Sequence, residues 1–230
     1  MTVGTDLAEL ARRAAGELDT APASEIVRWA VRTFGTRLVV TSSMQDAVLV
    51  HLAGQLAPGI DVLFLDTGYH FPETLGTRDA VAATYPVNLI TVRPGLSVAE
   101  QDAAYGPKLY ERDPDRCCRL RKVLPLDHAL QGYDAWLTGL RRADSPDRSA
   151  TPVVSYDSRR GKVRIAPLAT WTDADVSSYI STHRILTNPL LAAGYSSVGC
   201  APCTRAVAAW EHPRAGRWAG LTKTECGIHQ

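Results

Sequence analysis

Five cysteines have the most distinctive spacing in this 230-residue sequence. Cys117 and Cys118 are adjacent, Cys200 and Cys203 form a C-x-x-C pair, and Cys226 stands alone near the C-terminus. An odd number of cysteines, in a chain without a recognisable secretion signal, argues against a framework of disulfides. The pattern predicts a site of four thiolates and one separate, reactive thiol.

The four paired cysteines suit two kinds of metal centre. Zinc sites often use two C-x-x-C pairs, whereas a set of four soft thiolates suits a [4Fe–4S] cluster equally well. The adjacent pair cannot face one way on a strand, but it can converge on a metal at the start of a helix. Spacing alone leaves zinc and iron–sulfur open, beside a third interpretation in which the cysteines only pack in the core.

Two polar loops follow predicted strands and are candidates for binding phosphate. Hydroxyls and free N–H groups at a helix N-terminus can cradle an anion, although an N-capped helix explains the first loop as well. A turn before a proline-started helix explains only the glycine and the proline of the second. The candidate residues are Thr41, Ser42, Ser43 and Asp46 in the first loop, and Leu65, Asp66, Thr67 and Gly68 in the second.

Basic side chains beside these motifs could bind an anion or favour the thiolate form of Cys226. A charge run is more often a solvated surface, and that alternative applies to each of them. The candidates are Lys122 after the adjacent cysteines, Arg141 and Arg142 after Gly139, and Arg214, Arg217 and His229 in the C-terminal segment.

Short apolar strands alternate with amphipathic helices through most of the chain. This alternation predicts βαβ units and a Rossmann-like, doubly wound α/β fold with a mostly parallel sheet. Such sheets bind ligands at the carboxyl ends of their strands, where both polar loops would lie. The predicted strands cover residues 37–41, 62–65, 87–92 and 135–138, and the predicted helices cover 6–18 and 24–34, run from 46 to 56, and begin at 72.

We expect three parts in the chain. Residues 1–24 form an N-terminal helix, residues 25–190 form a nucleotide-binding domain, and residues 191–230 form a cysteine-containing C-terminal segment. That segment has little strand or helix periodicity but carries three of the five cysteines. We therefore expect it to fold back as a tail over the ligand-binding edge.

The bulk composition narrows the class of protein. A net charge of +1 does not favour a general nucleic-acid or membrane-surface binder. Hydrophobic residues make up 45% of the chain, yet no run approaches the roughly 18 apolar residues of a membrane span. We expect a soluble, cytoplasmic protein with a small-molecule ligand, and oligomerisation of this chain stays open.

Four motifs, in order along residues 35–230, resemble the reductases of adenylyl sulfate (APS) and phosphoadenylyl sulfate (PAPS). This family belongs to the adenine nucleotide-binding PP-loop enzymes. The second loop, L-D-T-G-x-x-x-P-E-T, is similar to the family's nucleotide loop, and E-C-G-I-H at residues 225–229 is similar to its terminal motif. R-C-C-R-x-R-K together with G-C-x-P-C-T resembles the cluster-binding pattern of the iron–sulfur APS reductases. The first loop departs from the family, since it lacks the common glycine.

The resemblance implies an activity and assigns roles to the candidates. It implies reduction of APS to sulfite and AMP by thioredoxin, in sulfate assimilation and cysteine biosynthesis. Cys226 would be the nucleophile, with Lys122 and His229 as further catalytic residues. A [4Fe–4S] cluster would be held by Cys117, Cys118, Cys200 and Cys203. The two polar loops, Gly139, Arg141, Arg142, Arg214 and Arg217 would bind the substrate.

Three alternatives remain at this stage. A PAPS reductase would need a site for a 3′-phosphate, which no motif identifies. A nucleotide-binding module stapled by zinc would have no redox activity. A PP-loop ligase or sulfurtransferase would consume ATP and release pyrophosphate.

Overall fold

A computed structural model describes residues 6–229. Its centre is a six-stranded sheet in the order β3-β2-β1-β4-β6-β5. All neighbouring strands run parallel except β5 and β6, which form an antiparallel pair at one edge. The strands are β1 Leu38–Ser42, β2 Asp61–Leu65, β3 Asn88–Val92, β4 Ala135–Thr138, β5 Val154–Asp157 and β6 Lys162–Ile165.

The helices cover both faces of the sheet and connect its parallel strands. A π-helical turn over Arg119–Val123 joins α7 to α8, so the chain stays helical from residue 114 to 129. The helices are α1 Leu7–Leu18, α2 Ala23–Phe34, α3 Val48–Leu56, α4 Pro72–Thr84, α5 Val98–Tyr105, α6 Leu109–Arg112, α7 Pro114–Cys118, α8 Leu124–Ala129 and α9 Asp173–His183.

The central strands bury side chains on both faces, because successive residues of a strand point to opposite sides. On one face Val40 and Leu137 join a large apolar core with α1, α2 and α3. On the other face Val39, Leu63 and Trp136 pack against α8 and the turn after it. Covering both faces is what a mostly parallel sheet requires.

The predicted fold class is confirmed, and the predicted elements lie within a few residues of the observed ones. The helix predicted from residue 46 begins at Val48, because the Asp46 carboxylate accepts a hydrogen bond from the Val48 N–H at 3.0 Å. The antiparallel hairpin of β5 and β6 was not predicted. Its strands are only four residues long and alternate with polar side chains, so their apolar signal is weak.

The C-terminal segment lies across the carboxyl edge of the sheet. Its backbone contacts both polar loops: Val198 N–H donates to Gln45 Oε1 at 3.0 Å, and Ala201 N–H donates to the Tyr69 carbonyl at 2.7 Å. Beyond Leu191 the described residues form only one short 3₁₀ turn, Ala201–Cys203. The expected position of the tail is therefore confirmed, while the division at residues 24 and 190 stays a prediction.

The helices of the described chain are too short or too polar to cross a lipid bilayer.

Candidate active site

The first loop, between β1 and α3, turns without a glycine. Met44 adopts a positive φ of 59° and is completely buried. Its backbone carbonyl accepts a hydrogen bond from the Asn188 side-chain amide at 3.1 Å. Packing and this contact hold a non-glycine residue in the left-handed region, so the loop keeps a tight turn where the family pattern has glycine.

The predicted polar side chains of this loop largely bind the protein itself. Thr41 donates to the Leu137 carbonyl at 3.0 Å, Ser42 Oγ accepts from the Met44 N–H at 3.3 Å, and Asp46 caps α3. Burial raises the pKa of the Asp46 carboxyl group. Ser43 is exposed at the tip of the loop. As substrate contacts, these four residues remain predictions.

The second loop, after β2, contacts the cysteine site directly. Thr67 is completely buried, and its Oγ1 lies 3.3 Å from Cys200 Sγ. Gly68 has a φ of +74°, and a Cβ there would lie 3.0 Å from the Arg121 guanidinium. Asp66 Oδ1 accepts from the Gly68 N–H at 3.1 Å, and Leu65, at the end of β2, accepts from His70 Nε2 at 2.8 Å. The loop is thus packed tightly between the sheet and the residues after α7.

The four paired cysteines line one small cavity. Cys117 and Cys118 lie at the end of α7 rather than at a helix start, and the Ala201–Cys203 turn brings the other pair to them. Burial and the neighbouring thiols raise the pKa of Cys117 to about 12 and of Cys203 to about 11, and burial also raises the pKa of Cys118. The cavity is also lined by Tyr69, Tyr110, Pro114, Arg121, Lys122, Pro202 and Trp218.

The chemistry of this donor set fits an iron–sulfur cluster. A [4Fe–4S] cluster is held by four thiolates, and four cysteines line the common cavity. Zinc also binds four thiolates, and it is the resemblance to the iron–sulfur reductases that favours the cluster. Four buried thiols around a common space also need cationic metal to become thiolates.

Lys122 is a buried cation beside these sulfur atoms, with 9% of its surface exposed. Burial alone would lower the pKa of its ammonium group, but the neighbouring sulfur atoms of Cys200, Cys226 and Cys118 favour its charged form and outweigh burial. The pKa of Lys122 therefore lies above its usual range, and the residue stays charged between the cysteine site and the tail.

Arg217 is held in place by the segment that precedes Cys200. Its Nη1 donates to Ser197 Oγ at 3.2 Å, and its guanidinium lies 4.6 Å from the centre of the Trp218 ring. A Cβ on Gly199 would overlap this guanidinium. Glycine at position 199 leaves room for the Arg217 guanidinium in this position, next to the cysteine cavity.

Cys226 is half-buried in a tail that arginines bind on both sides of it. Before it, Glu225 forms a two-point ion pair with Arg148, at 2.7 and 2.8 Å, and a longer one with Arg214 at 3.2 Å. After it, arginines of the β5–β6 hairpin bind backbone carbonyls. Arg160 donates to Ile228 at 2.9 Å, and Arg164 donates to His229 at 2.5 Å.

His229 lies among four arginines and is not positively charged. Burial, together with the charges of Arg148, Arg164, Arg160 and Arg214, lowers the pKa of its imidazole to about 3. With so low a pKa the imidazole is neutral near pH 7, and the catalytic role of His229 stays a prediction. A neutral imidazole can still donate or accept a hydrogen bond.

The two arginines after β4 do not gather around Cys226. Arg141 forms ion pairs with Asp144 at 2.9 Å and Asp173 at 2.8 Å. Arg142 binds Asp19 at the end of α1 at 2.6 Å and the Thr151 carbonyl at 2.9 Å. The structure thus does not bring Arg142 to the candidate site, because it has partners elsewhere. Gly139, the residue directly after β4, is exposed at the carboxyl edge.

Sequence reasoning missed several residues that shape this site. Arg148, Arg160 and Arg164 reach the tail from segments that are 65 to 77 residues away in the chain. No local motif marks such contacts.

An α/β sheet with polar loops, cations and a C-terminal tail at the carboxyl ends of its strands is typical of a nucleotide-binding protein. The sequence profile of the phosphoadenosine phosphosulfate reductase domain matches residues 37–206, and the chain belongs to this family.

Curated relatives match nearly the whole chain. The adenosine 5′-phosphosulfate reductase of Streptomyces coelicolor is 62% identical, covering 97% of this chain and 95% of the relative. The protein of the same name from Mycolicibacterium smegmatis is 56% identical, with the same coverage.

Solved structures share the fold. The phosphoadenylyl-sulfate reductase of Candida auris, solved with phosphate, has a TM-score of 0.73 and 30% identity, covering 86% of this chain and 97% of that one. The FMN adenylyltransferase of Candida glabrata has a TM-score of 0.58 at 14% identity, covering 87% and 74%, and supports the fold alone.

Proposed function

We propose that this protein reduces APS to sulfite and AMP in sulfate assimilation, through a sulfonate carried on Cys226. The observation that carries the proposal is the position of Cys226 on the tail, with buried Lys122 within its electrostatic reach and a four-cysteine cavity beside both. The names of the curated relatives support APS as the substrate.

The first step is attack by the Cys226 thiolate on the sulfur of APS. A sulfur–sulfur bond forms, the bond from sulfur to the bridging oxygen breaks, and AMP leaves with that electron pair. Lys122, Arg214 and Arg217 are the cations placed to stabilise the negative oxygens. A well-placed donor to developing charge contributes roughly 10² to 10³ in rate.

The second step regenerates the cysteine. A thiolate of a dithiol protein such as thioredoxin attacks Cys226 Sγ, and sulfite leaves as a mixed disulfide forms. The second thiol of the partner then releases Cys226 and leaves the partner oxidised. The two electrons come from the partner dithiol, which fits a cytoplasmic location with a reducing thiol pool.

We further propose that Cys117, Cys118, Cys200 and Cys203 hold a [4Fe–4S] cluster. When bound, the cluster would supply a fixed link between α7 and the tail and the positive charge that keeps four buried thiols ionised. Lys122 and Arg217 would compensate the remaining negative charge of the thiolates.

A PAPS reductase is the second candidate, because the matching family profile and the Candida auris relative bear that name. The four-cysteine cavity favours APS, since by resemblance the iron–sulfur members use APS. Comparing kcat/KM for the two nucleotides decides between them, and a preference for PAPS would reverse the assignment.

Trapping the intermediate tests the proposed reaction. APS added to cluster-loaded protein without reductant should leave one sulfonate on Cys226, an increase of about 80 Da in intact mass. Cys226→Ser should carry no label, because a hydroxyl without a matched base is a weak nucleophile. Reduced thioredoxin should discharge the label as sulfite. A sulfonate on another cysteine would contradict the mechanism, and stoichiometric zinc in place of about four irons per chain would contradict the cluster.

A further inference from the structure

A chain of alternating ion pairs connects the carboxyl end of β4 to the residue before Cys226. Arg141 Nη2 lies 2.9 Å from Asp144 Oδ1, and Arg148 Nη1 lies 2.9 Å from Asp144 Oδ2. Arg148 then binds both carboxylate oxygens of Glu225, at 2.7 and 2.8 Å. We call Arg141, Asp144, Arg148 and Glu225 the ion-pair chain.

The ion-pair chain is shielded from water along its length. Its four side chains are between 15% and 17% exposed. A two-point arginine–carboxylate pair is directional as well as strong, and partial burial reduces its screening by salt. The ion-pair chain therefore fixes the orientation of the Glu225 backbone as well as its distance from the domain.

The two arginines that bind the Glu225 carboxylate make unequal contacts with it. Arg148 uses two nitrogens, whereas Arg214 reaches one oxygen at 3.2 Å. Arg148 is itself held by Asp144, while Arg214 comes from the tail and also donates to the Thr224 carbonyl at 2.8 Å. Arg148 is thus the partner that ties the tail to the domain, and Arg214 is the one that can turn to an anionic substrate without releasing Glu225.

Anchors lie on both sides of Cys226. Glu225 is fixed immediately before it, and the Ile228 carbonyl is bound by Arg160 at 2.9 Å after it. Gly227 between them has a φ of +78°, which makes a tight turn next to the sulfur. A cysteine between two anchors and a turn has little freedom of position.

We propose that Glu225 and Arg148 are positioning residues that set the place of the Cys226 thiolate over the substrate edge, with Asp144 and Arg141 as their support. The inference rests on the proposed role of Cys226 as nucleophile. Neither Glu225 nor Arg148 contacts the reacting sulfur in this role. Their removal therefore affects how Cys226 is presented, and substrate binding much less.

Glu225→Gln and Arg148→Lys test the proposal in cluster-loaded protein. A displacement of about 1 Å can lower a rate about 100-fold, so we expect the rate of sulfonate transfer to Cys226 to fall on the order of 100-fold. The dissociation constant for AMP should stay within about threefold of wild type, because ground-state binding is not the property lost. Glu225→Asp keeps the charge but is one methylene shorter, so its rate should lie between wild type and Glu225→Gln.

A second readout needs neither substrate nor turnover. Alkylation of Cys226 by iodoacetamide should become about tenfold faster in both variants, because the tail opens more often. This readout separates the proposed function of Cys226 from the positioning role of Glu225 and Arg148. If wild type forms no sulfonate, the proposed function fails, while the dependence of alkylation on Glu225 still shows whether the ion-pair chain holds the tail.

Glu211→Gln is the matched control. Glu211 forms the same two-point pair with Arg205, at 2.9 and 2.7 Å, in the same C-terminal segment, but this pair is more exposed than the ion-pair chain and lies 15 residues before Cys226. We expect its transfer and alkylation rates to equal those of wild type.

Several outcomes would overturn the inference. An unchanged transfer rate in Glu225→Gln would show that the ion pair does not contribute to the rate of the reaction. A loss of AMP affinity as large as the loss of rate would make Arg148 a substrate contact instead. If Glu225→Gln does not fold, Glu225→Asp decides, and a wild-type transfer rate there would count against positioning. The Arg148→Lys/Glu225→Gln double variant should lose no more than the worse single variant, since the residues act as one unit.

Discussion

Lys122 lies between the four-cysteine cavity and Cys226, the proposed nucleophile. Its ammonium is buried and would be costly to charge alone, yet the surrounding sulfur atoms raise its pKa. An ammonium held charged in a water-poor site stabilises developing negative charge far more than it would in water. Its charge is therefore available both to the cysteine cavity and to a substrate that reacts at Cys226.

Replacing Lys122 or Arg217 by alanine should lower the rate more than it weakens binding. We expect kcat to fall roughly 10² to 10³-fold for each, because a donor to charge that develops in the transition state is lost. Steady-state kinetics with APS measure the effect, at iron content equal to wild type. Arg119→Ala is the control, since Arg119 is exposed in the same helical stretch. Unchanged kcat in both variants would reduce Lys122 and Arg217 to structural charges.

At the scale of elements, periodicity predicted most of the fold. The strands β1 to β4 and the helices α1 to α4 are apolar or amphipathic over enough residues to be recognised. Helices α5 to α8 are short, and prolines start two of them, so they left no clear period. The β5–β6 hairpin was missed, although it supplies Arg160 and Arg164 to the tail.

The candidate site was predictable where chemistry is local in sequence. Adjacent cysteines, C-x-x-C and the loop around Gly68 are local patterns, and the structure brings them together. Contacts such as Arg148 with Glu225 join residues 77 positions apart, and nothing in either neighbourhood specifies its partner. Arg142 illustrates the reverse, since its sequence neighbours suggested a ligand role but its partner is Asp19.

The first loop offers a test of how packing replaces glycine. Met44→Gly removes backbone strain of roughly 1 kcal/mol, but glycine also adds a similar entropy to the unfolded chain. These effects cancel, and the loss of a buried methionine, roughly 2–5 kcal/mol, remains. We therefore expect a net destabilisation of about 2 kcal/mol or more, measured by urea unfolding.

Lys108→Gly is the matched control for this loop. Lys108 also has a positive φ, 54°, but its side chain is exposed. The substitution also removes an ion pair with Glu111 at 3.3 Å, but both side chains of that pair are exposed and it contributes little. The two opposing backbone effects remain, so stability should stay within about 0.5 kcal/mol of wild type. Equal losses in the two variants would show that burial of Met44 is not what stabilises the loop.

At the scale of the whole molecule, the tail joins two regions that are far apart in sequence. Lys223 pairs with Asp115 in α7, Glu225 pairs with Arg148, and the carbonyls of Ile228 and His229 accept from arginines of the β5–β6 hairpin. The cysteine pairs also bring α7 and the C-terminal segment together, since Cys117 and Cys118 of α7 line the same cavity as Cys200 and Cys203. These side-chain and carbonyl contacts between the tail and the domain are ion pairs or hydrogen bonds donated by arginines. The position of the tail therefore depends on charge.

Acid should weaken this closed arrangement through His229. Its pKa is about 3 in the folded protein and 6.5 when free, so the unfolded chain binds more protons between these values. The stabilisation is complete above pH 6.5 and is lost progressively as pH falls toward 3. The four surrounding arginines stay charged throughout. We expect the melting temperature of wild type to fall more steeply below pH 6.5 than that of His229→Asn, which has no group to protonate.

Asp46, whose pKa is raised by burial, acts in the opposite direction, but it is present in both proteins and drops out of the difference. Parallel curves for the two proteins from pH 7 to 4.5 would show that His229 is protonated as easily in the folded tail as in the unfolded chain.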